Sequence, residues 1–184
     1  MKLNKIMMVA AVAFGLSSTA FAADQGHGKV TFTGSIIDAP CSINPDSIDQ
    51  TVELGQISKA ALVSGGKSTP RNFSIALENC TFANDEKGNP LKNKVALTFT
   101  GMESNATPTN GLLGITGTAK GASVAITDGS GTVIKLGQPT KAQTLQGGSN
   151  TLNFAAYLQG DAASTAVITE GEFQAVADFT LAYN

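Results

Sequence analysis

The chain has 184 residues and a formal net charge of −2 at pH 7, and 42% of its residues are hydrophobic. This length is sufficient for one domain with a substantial core. The near-neutral charge and the lack of a basic run argue against nucleic acid as the main partner.

The first 22 residues have the pattern of a secretory signal peptide. Lys2 and Lys5 precede an apolar run from Ile6 to Leu16, and Ala20-Phe21-Ala22 fits a cleavage site of the small-x-small type. The run is shorter than a membrane span. We therefore expect cleavage directly after this site and secretion of the remaining chain.

The segment from Lys29 to Ile36 is the first predicted strand. Its residues alternate, so that apolar side chains and a glycine share one face and polar residues the other. The face with the apolar residues consists of Val30, Phe32, Gly34 and Ile36.

Cys41 and Cys80 are the two cysteines of the chain. Secretion places both in an oxidising compartment, so we predict a disulfide between them. The bond would close a loop of about 40 residues and stabilise the fold by roughly 4 kcal/mol on the chain-entropy account. A reactive thiol and a metal site are the alternatives, but neither cysteine has the nearby His or Cys that such a site needs.

The middle of the chain contains several short alternating segments separated by turn residues, and no helical periodicity of any length. Asp128 to Gly131 is a strong turn signal between two of these segments. We expect loops at Asn84 to Asn93 and at Met102 to Gly111. This spacing is typical of an all-β sandwich of the immunoglobulin type. The predicted strands contain Phe73 to Leu77, Val95 to Phe99, Val124 to Ile126, Thr132 to Leu136 and Leu152 to Leu158.

The C-terminal segment is a further alternating strand, and the chain ends inside it. Chain ends usually fray unless something fixes them. Two explanations stay open: both terminal strands pair within one sandwich, or one of them pairs with another molecule by strand addition. The apolar face of the C-terminal strand consists of Phe173, Ala175, Ala177, Phe179, Leu181 and Tyr183.

The motifs at both ends and in the middle resemble those of chaperone–usher pilins, most closely the major rod subunits of P-pilus-type fimbriae. The resemblance covers essentially the whole chain after the signal peptide. It rests on the order and spacing of the whole set, since each motif alone is weak. The matching segments are Gly28 to Gly34, Ile36 to Ile43, Val52 to Gln56, Phe73 to Cys80 and Ala122 to Gly137, followed by Gly171 and the penultimate Tyr183.

This resemblance implies an incomplete immunoglobulin-like sandwich that lacks its last strand. Residues 1–22 would be the signal peptide, residues 23–37 a donor-strand extension and residues 38–184 the pilin domain. The groove left by the missing strand would lie between Gly171 to Asn184 and the segment just after the strand of Cys41 begins.

Family resemblance also implies the partners. A periplasmic chaperone would first pair with the C-terminal strand from Gly171 to Tyr183. At an outer-membrane usher, the donor segment of the next pilin would then replace it. Val30, Phe32 and Ile36 would fill apolar pockets, and Gly34 would be the glycine of the donor strand. The function implied is a structural subunit of an adhesive surface fibre, most simply its major rod subunit; the alternative is a minor tip or adaptor pilin, or a single-domain adhesin.

Catalytic chemistry has little support in the sequence. His27 is the single histidine and lies beside two glycines, so no buried triad base is available. Gly65-Gly66-Lys67-Ser68-Thr69 resembles the end of a phosphate-binding loop, but position 61 is Ala61 instead of the required glycine. We expect no enzyme activity, no catalytic or metal site, no cofactor and no small-molecule substrate.

Overall fold

A computed structural model describes residues 27–104, 111–162 and 167–184. The predicted signal peptide and part of the predicted loop from Met102 to Gly111 lie outside these residues. Within them, strands dominate, and the all-β prediction is confirmed. The strands are β1 (Ser42–Ile43), β2 (Arg71–Cys80), β3 (Lys94–Gly101), β4 (Leu113–Gly114), β5 (Thr116–Gly117), β6 (Ala122–Asp128), β7 (Val133–Ile134), β8 (Gln143–Thr144), β9 (Gly148–Gly160), β10 (Phe173–Gln174) and β11 (Ala177–Tyr183).

The predicted middle strands lie inside β2, β3, β6 and β9, except that of Thr132 to Leu136, of which only Val133 and Ile134 form a strand, β7. The turn at Asp128 joins β6 to β7, as its sequence indicates, because the Asp128 carboxylate accepts hydrogen bonds from the backbone N–H groups of Ser130 and Thr132, both at 2.9 Å. The Ser130 hydroxyl also donates to this carboxylate, at 2.6 Å, and this bond together with the backbone bonds holds the pKa of Asp128 below its ordinary value.

All strand pairs are antiparallel. The larger sheet has the order β1-β2-β9-β6-β4, with β7 paired to β6. The second sheet has the order β11-β3-β8, and β10 forms a separate pair with β5.

The core lies between the two sheets, because β2, β3 and β9 each direct alternate apolar side chains to the same cluster. Ile75, Leu97 and Leu152 are at most 2% exposed. Three phenylalanines from the three strands meet at its centre. The ring centroids of Phe73 and Phe154 are 5.5 Å apart, and those of Phe99 and Phe154 are 5.3 Å apart.

Three short helical segments were not predicted. They are α1 (Pro45–Ile48), α2 (Lys59–Leu62) and the 3₁₀ helix Val63–Gly65. Each is a single turn or less, which is too short to leave a helical period in the sequence. No helix in the described part of the chain is both long and apolar enough to cross a membrane.

The two terminal segments differ from the predicted continuous strands. Residues 27–36, which fall outside the compact unit formed by residues 37–184, contain no strand. A strand needs a neighbouring backbone to complete its hydrogen bonds. The C-terminal strand is interrupted at Ala175 and Val176, because its pairing changes there from β5 to β3.

Candidate functional site

Strand β11 lies at the edge of the second sheet. It pairs with β3 over its whole length, from Ala177 opposite Gly101 to Tyr183 opposite Val95. Strand β8 occupies the far side of β3. Within the described residues of this unit, no strand pairs with the outer edge of β11, so that edge presents unpaired backbone groups.

One face of β11 points to the core and is only half covered. Ala177, Phe179, Leu181 and Tyr183 are half-buried, whereas the residues between them are exposed. The predicted alternation is therefore present in the structure. A half-buried apolar face beside an unpaired edge is the geometry that one further strand would complete.

The base of this half-covered face is aromatic. The ring centroids of Phe179 and Phe99 are 6.4 Å apart, and Phe99 in turn packs edge-on against Phe154 in the core. The face is thus fixed to the central cluster rather than to a loop.

Tyr183 lies at the C-terminal end of the same face. Its ring packs against the core cluster, while its hydroxyl is buried without a hydrogen-bond partner among the described residues. Burial raises the pKa of the Tyr183 phenol above its ordinary value. An unpaired buried hydroxyl destabilises the folded single chain, in whose described part no further strand covers Tyr183.

A second segment, which belongs to no helix or strand, borders the same apolar region. Val52, Leu54 and Ile57 are half-buried and the residues between them exposed. Leu54 and Ile57 belong to the same cluster as Phe173 and Ala175. The resemblance predicts this flank just after the strand of Cys41 begins. The structure has β1 and α1 there, and residues 51–57 follow them.

We call the region between these two segments the groove, with residues 51–57 as its first wall and residues 171–183 as its second wall. The second wall begins at Gly171, whose φ of 151° is one that residues with a side chain rarely adopt. From there Phe173 and Gln174 pair with Gly117 and Thr116.

The cysteines form the predicted disulfide, and both are buried, with exposed fractions of 3% and 2%. Cys41 precedes β1 and Cys80 ends β2, so the bond ties the start of the compact unit to its larger sheet.

The side chains predicted to form the donor face are solvent-exposed in the single chain. Val30 is 76% exposed, Phe32 90% and Ile36 104%. A β-carbon on Gly34 would have no atom within 4 Å. Large apolar side chains that share one predicted face are unusual at this exposure.

The described residues contain no group of three or more His, Cys, Asp or Glu side chains placed to hold a metal ion. The groove itself presents aliphatic and aromatic side chains and backbone groups. Such a surface can bind an extended peptide by strand pairing and by filling of apolar pockets.

Comparisons with known proteins agree with this geometry. The family model described as "Fimbrial protein" matches residues 30–184. The chain is 63% identical over 183 residues to the Fimbria A protein of Serratia marcescens, covering 100% of this chain and 99% of that one.

Two solved structures are also similar. A subunit in the structure of a chaperone–usher pilus, determined to explain rod uncoiling, is 39% identical with a TM-score of 0.75, covering 87% of this chain and 97% of that one. The P pilus rod subunit is 36% identical with a TM-score of 0.69, covering 79% of this chain and 100% of that one. These matches confirm the immunoglobulin-like sandwich without its last strand.

Proposed function

The chain belongs to the fimbrial protein family, and on this premise we propose that it polymerises by inserting residues 30–36 into the groove of the next subunit. Its relatives make it a structural pilin and a component of surface fimbriae. A rod subunit is favoured over a tip or adaptor subunit, because the two solved relatives described above, at 39% and 36% identity, come from pilus rods.

The observation that carries the proposal is the unpaired edge of β11 beside a half-buried apolar face. An inserted strand would pair its backbone with β11 and cover Phe179, Leu181 and Tyr183. The first wall would flank its other side.

The inserted segment would supply the apolar side chains. Val30, Phe32 and Ile36 would each contribute roughly 1.5–3 kcal/mol on full burial. Gly34 adds no side chain, so the strand can approach the groove closely at that position. Withdrawing such a strand exposes all of this surface at once, so the joint would be kinetically stable.

The same groove accounts for the earlier steps of the pathway. Residues 1–22 direct export to the periplasm and are removed. A periplasmic chaperone then covers Gly171 to Tyr183 until an outer-membrane usher exchanges it for the next subunit. The role is structural and adhesive, with no catalytic step in the subunit.

Two matched variants test the donor role. Phe32→Asp places a charge on the apolar face of the segment, whereas Thr33→Asp places the same charge on the opposite face. We expect fibres of the wild type and of Thr33→Asp to give a ladder of multimers on SDS gels without heating, and Phe32→Asp to give monomer. A ladder from Phe32→Asp, or a single band from the unheated wild type, would refute strand donation by residues 30–36.

A further inference from the structure

An ion pair connects residues that flank the two walls at one end of the groove. Lys59 Nζ lies 3.7 Å from Glu170 Oε1. Lys59 is the first residue of α2, two positions after the first wall ends. Glu170 directly precedes Gly171, where the second wall begins. The pair therefore closes the groove at the end where β10 starts.

The second wall is firmly anchored at this end. The Glu172 carbonyl accepts hydrogen bonds from the backbone N–H of Thr118 at 3.0 Å and of Ala119 at 3.1 Å. The Glu172 N–H donates to Thr118 Oγ1 at 3.1 Å. These three bonds fix the backbone next to Glu170.

The first wall is held much more weakly. Residues 51–57 belong to no helix or strand, and none of them hydrogen-bonds to a described residue. A pocket of about 210 Å³ adjoins this wall and is lined in part by Leu54, Ile57, Ala61 and Lys67. Residues 51–57 are therefore held by apolar packing alone, and the next polar attachment along the chain to a distant part of the fold is the ion pair of Lys59.

We propose that the Lys59–Glu170 ion pair is a latch that holds the first wall against the second and slows insertion of an incoming strand. This inference rests on the proposed strand insertion. It adds that the ion pair controls the rate of that insertion. Insertion at this end requires the first wall to move outward, because the second wall is anchored, and such movement separates the two charges.

The exposure of the pair sets the size of the effect. The two side chains are 50% and 80% exposed. Exposed ion pairs contribute little and are screened by salt. The latch should therefore change the insertion rate by roughly two- to fivefold at low ionic strength, and by less at high ionic strength.

The rate can be measured with a fluorescent peptide of residues 27–37 and the refolded, oxidised full chain. A Phe32→Asp background prevents competition from the chain's own segment. Uptake is followed as fluorescence that stays with the protein on unheated SDS gels. We expect Lys59→Gln and Glu170→Gln both to accelerate uptake at low salt, although they change the net charge in opposite directions. General attraction of the peptide would instead shift the two rates in opposite directions.

Two controls complete the test. The exchanged pair Lys59→Glu with Glu170→Lys should restore slow, salt-sensitive uptake. Glu86→Gln, which removes an exposed negative charge outside both walls, should keep the parent chain's ratio of rates at low and high salt. The parent chain is the one that carries Phe32→Asp alone. If it takes up the peptide, and neither Lys59→Gln nor Glu170→Gln changes the rate, the latch is refuted while strand insertion stands. No uptake by the parent chain would overturn both.

Discussion

Gly171 approaches Thr118 so closely that a β-carbon at position 171 would lie 2.3 Å from Thr118 Oγ1. The same hydroxyl accepts the hydrogen bond from the Glu172 N–H that anchors the second wall of the groove. The absence of a side chain at position 171 is thus a condition for the start of that wall.

We expect Gly171→Ala to lower the free energy of unfolding by more than about 2 kcal/mol, through an unfavourable φ together with a clash. Gly137→Ala is the matched control, because Gly137 also has a positive φ, of 72°, but has no atom within 4 Å of a β-carbon. It should cost about 1 kcal/mol. Urea unfolding of both variants gives the comparison, and equal losses would exclude the clash with Thr118.

Tyr183→Phe should leave the stability of the unoccupied subunit unchanged or raise it slightly. The substitution removes a buried hydroxyl without a described partner and keeps the ring that packs on the core. Tyr183→Ala should lower the unfolding midpoint, since it removes the ring as well. A loss of more than about 1 kcal/mol on Tyr183→Phe would mean that the hydroxyl is bonded in this state.

Asp161 should make stability depend on pH. Burial raises the pKa of its carboxyl, and Asp161 Oδ1 has no hydrogen-bond partner among the described residues. A raised pKa in the folded state means that its contribution to stability is fully present below the unfolded value of about 3.9 and is lost as pH rises through the folded pKa.

The variant Asp161→Asn should therefore have a higher urea midpoint than the wild type at pH 7, with the difference vanishing below about pH 4. Asp178→Asn is the control, because Asp178 is exposed on the outer face of β11. An Asp161→Asn midpoint at or below that of the wild type at pH 7 would contradict this account.

Reduction of the disulfide should remove about 4 kcal/mol of stability, because the cysteines lie 39 positions apart and the open chain gains the entropy of that loop. Urea unfolding with and without reductant measures the loss. The double variant Cys41→Ser with Cys80→Ser should match the reduced chain and should not respond to reductant. Equal midpoints for the oxidised and reduced wild type would show that the bond contributes nothing.

The core strands were predictable because each places apolar residues at every second position, and these share the face that packs in the core. Phe73, Phe99 and Phe154 are such residues and meet in one cluster. The disulfide was predictable for a different reason: two cysteines in a secreted chain leave one intramolecular pairing.

Strand β6 shows where this reasoning fails. Ser123 is fully buried on its outer face and its hydroxyl lies 2.7 Å from that of Ser104, while Ala125 and Tyr157 form a small cluster there with Leu112. The chain on either side of residues 105–110 reaches that face. A covering segment distant in sequence leaves no period in the strand that it covers.

Some features of the groove were likewise predictable from the sequence, and others were not. Alternation along the sequence determined which side chains of residues 173–183 share a face and predicts the same for residues 30–36, because successive residues of an extended chain point to opposite sides. Only the tertiary structure decided that, among the described residues, β11 keeps one edge unpaired, that residues 51–57 form the opposite wall and that Lys59 meets Glu170. Backbone hydrogen bonds between strands join residues far apart in the chain, so the edge left without a partner follows from the assembled sheet and not from any local pattern.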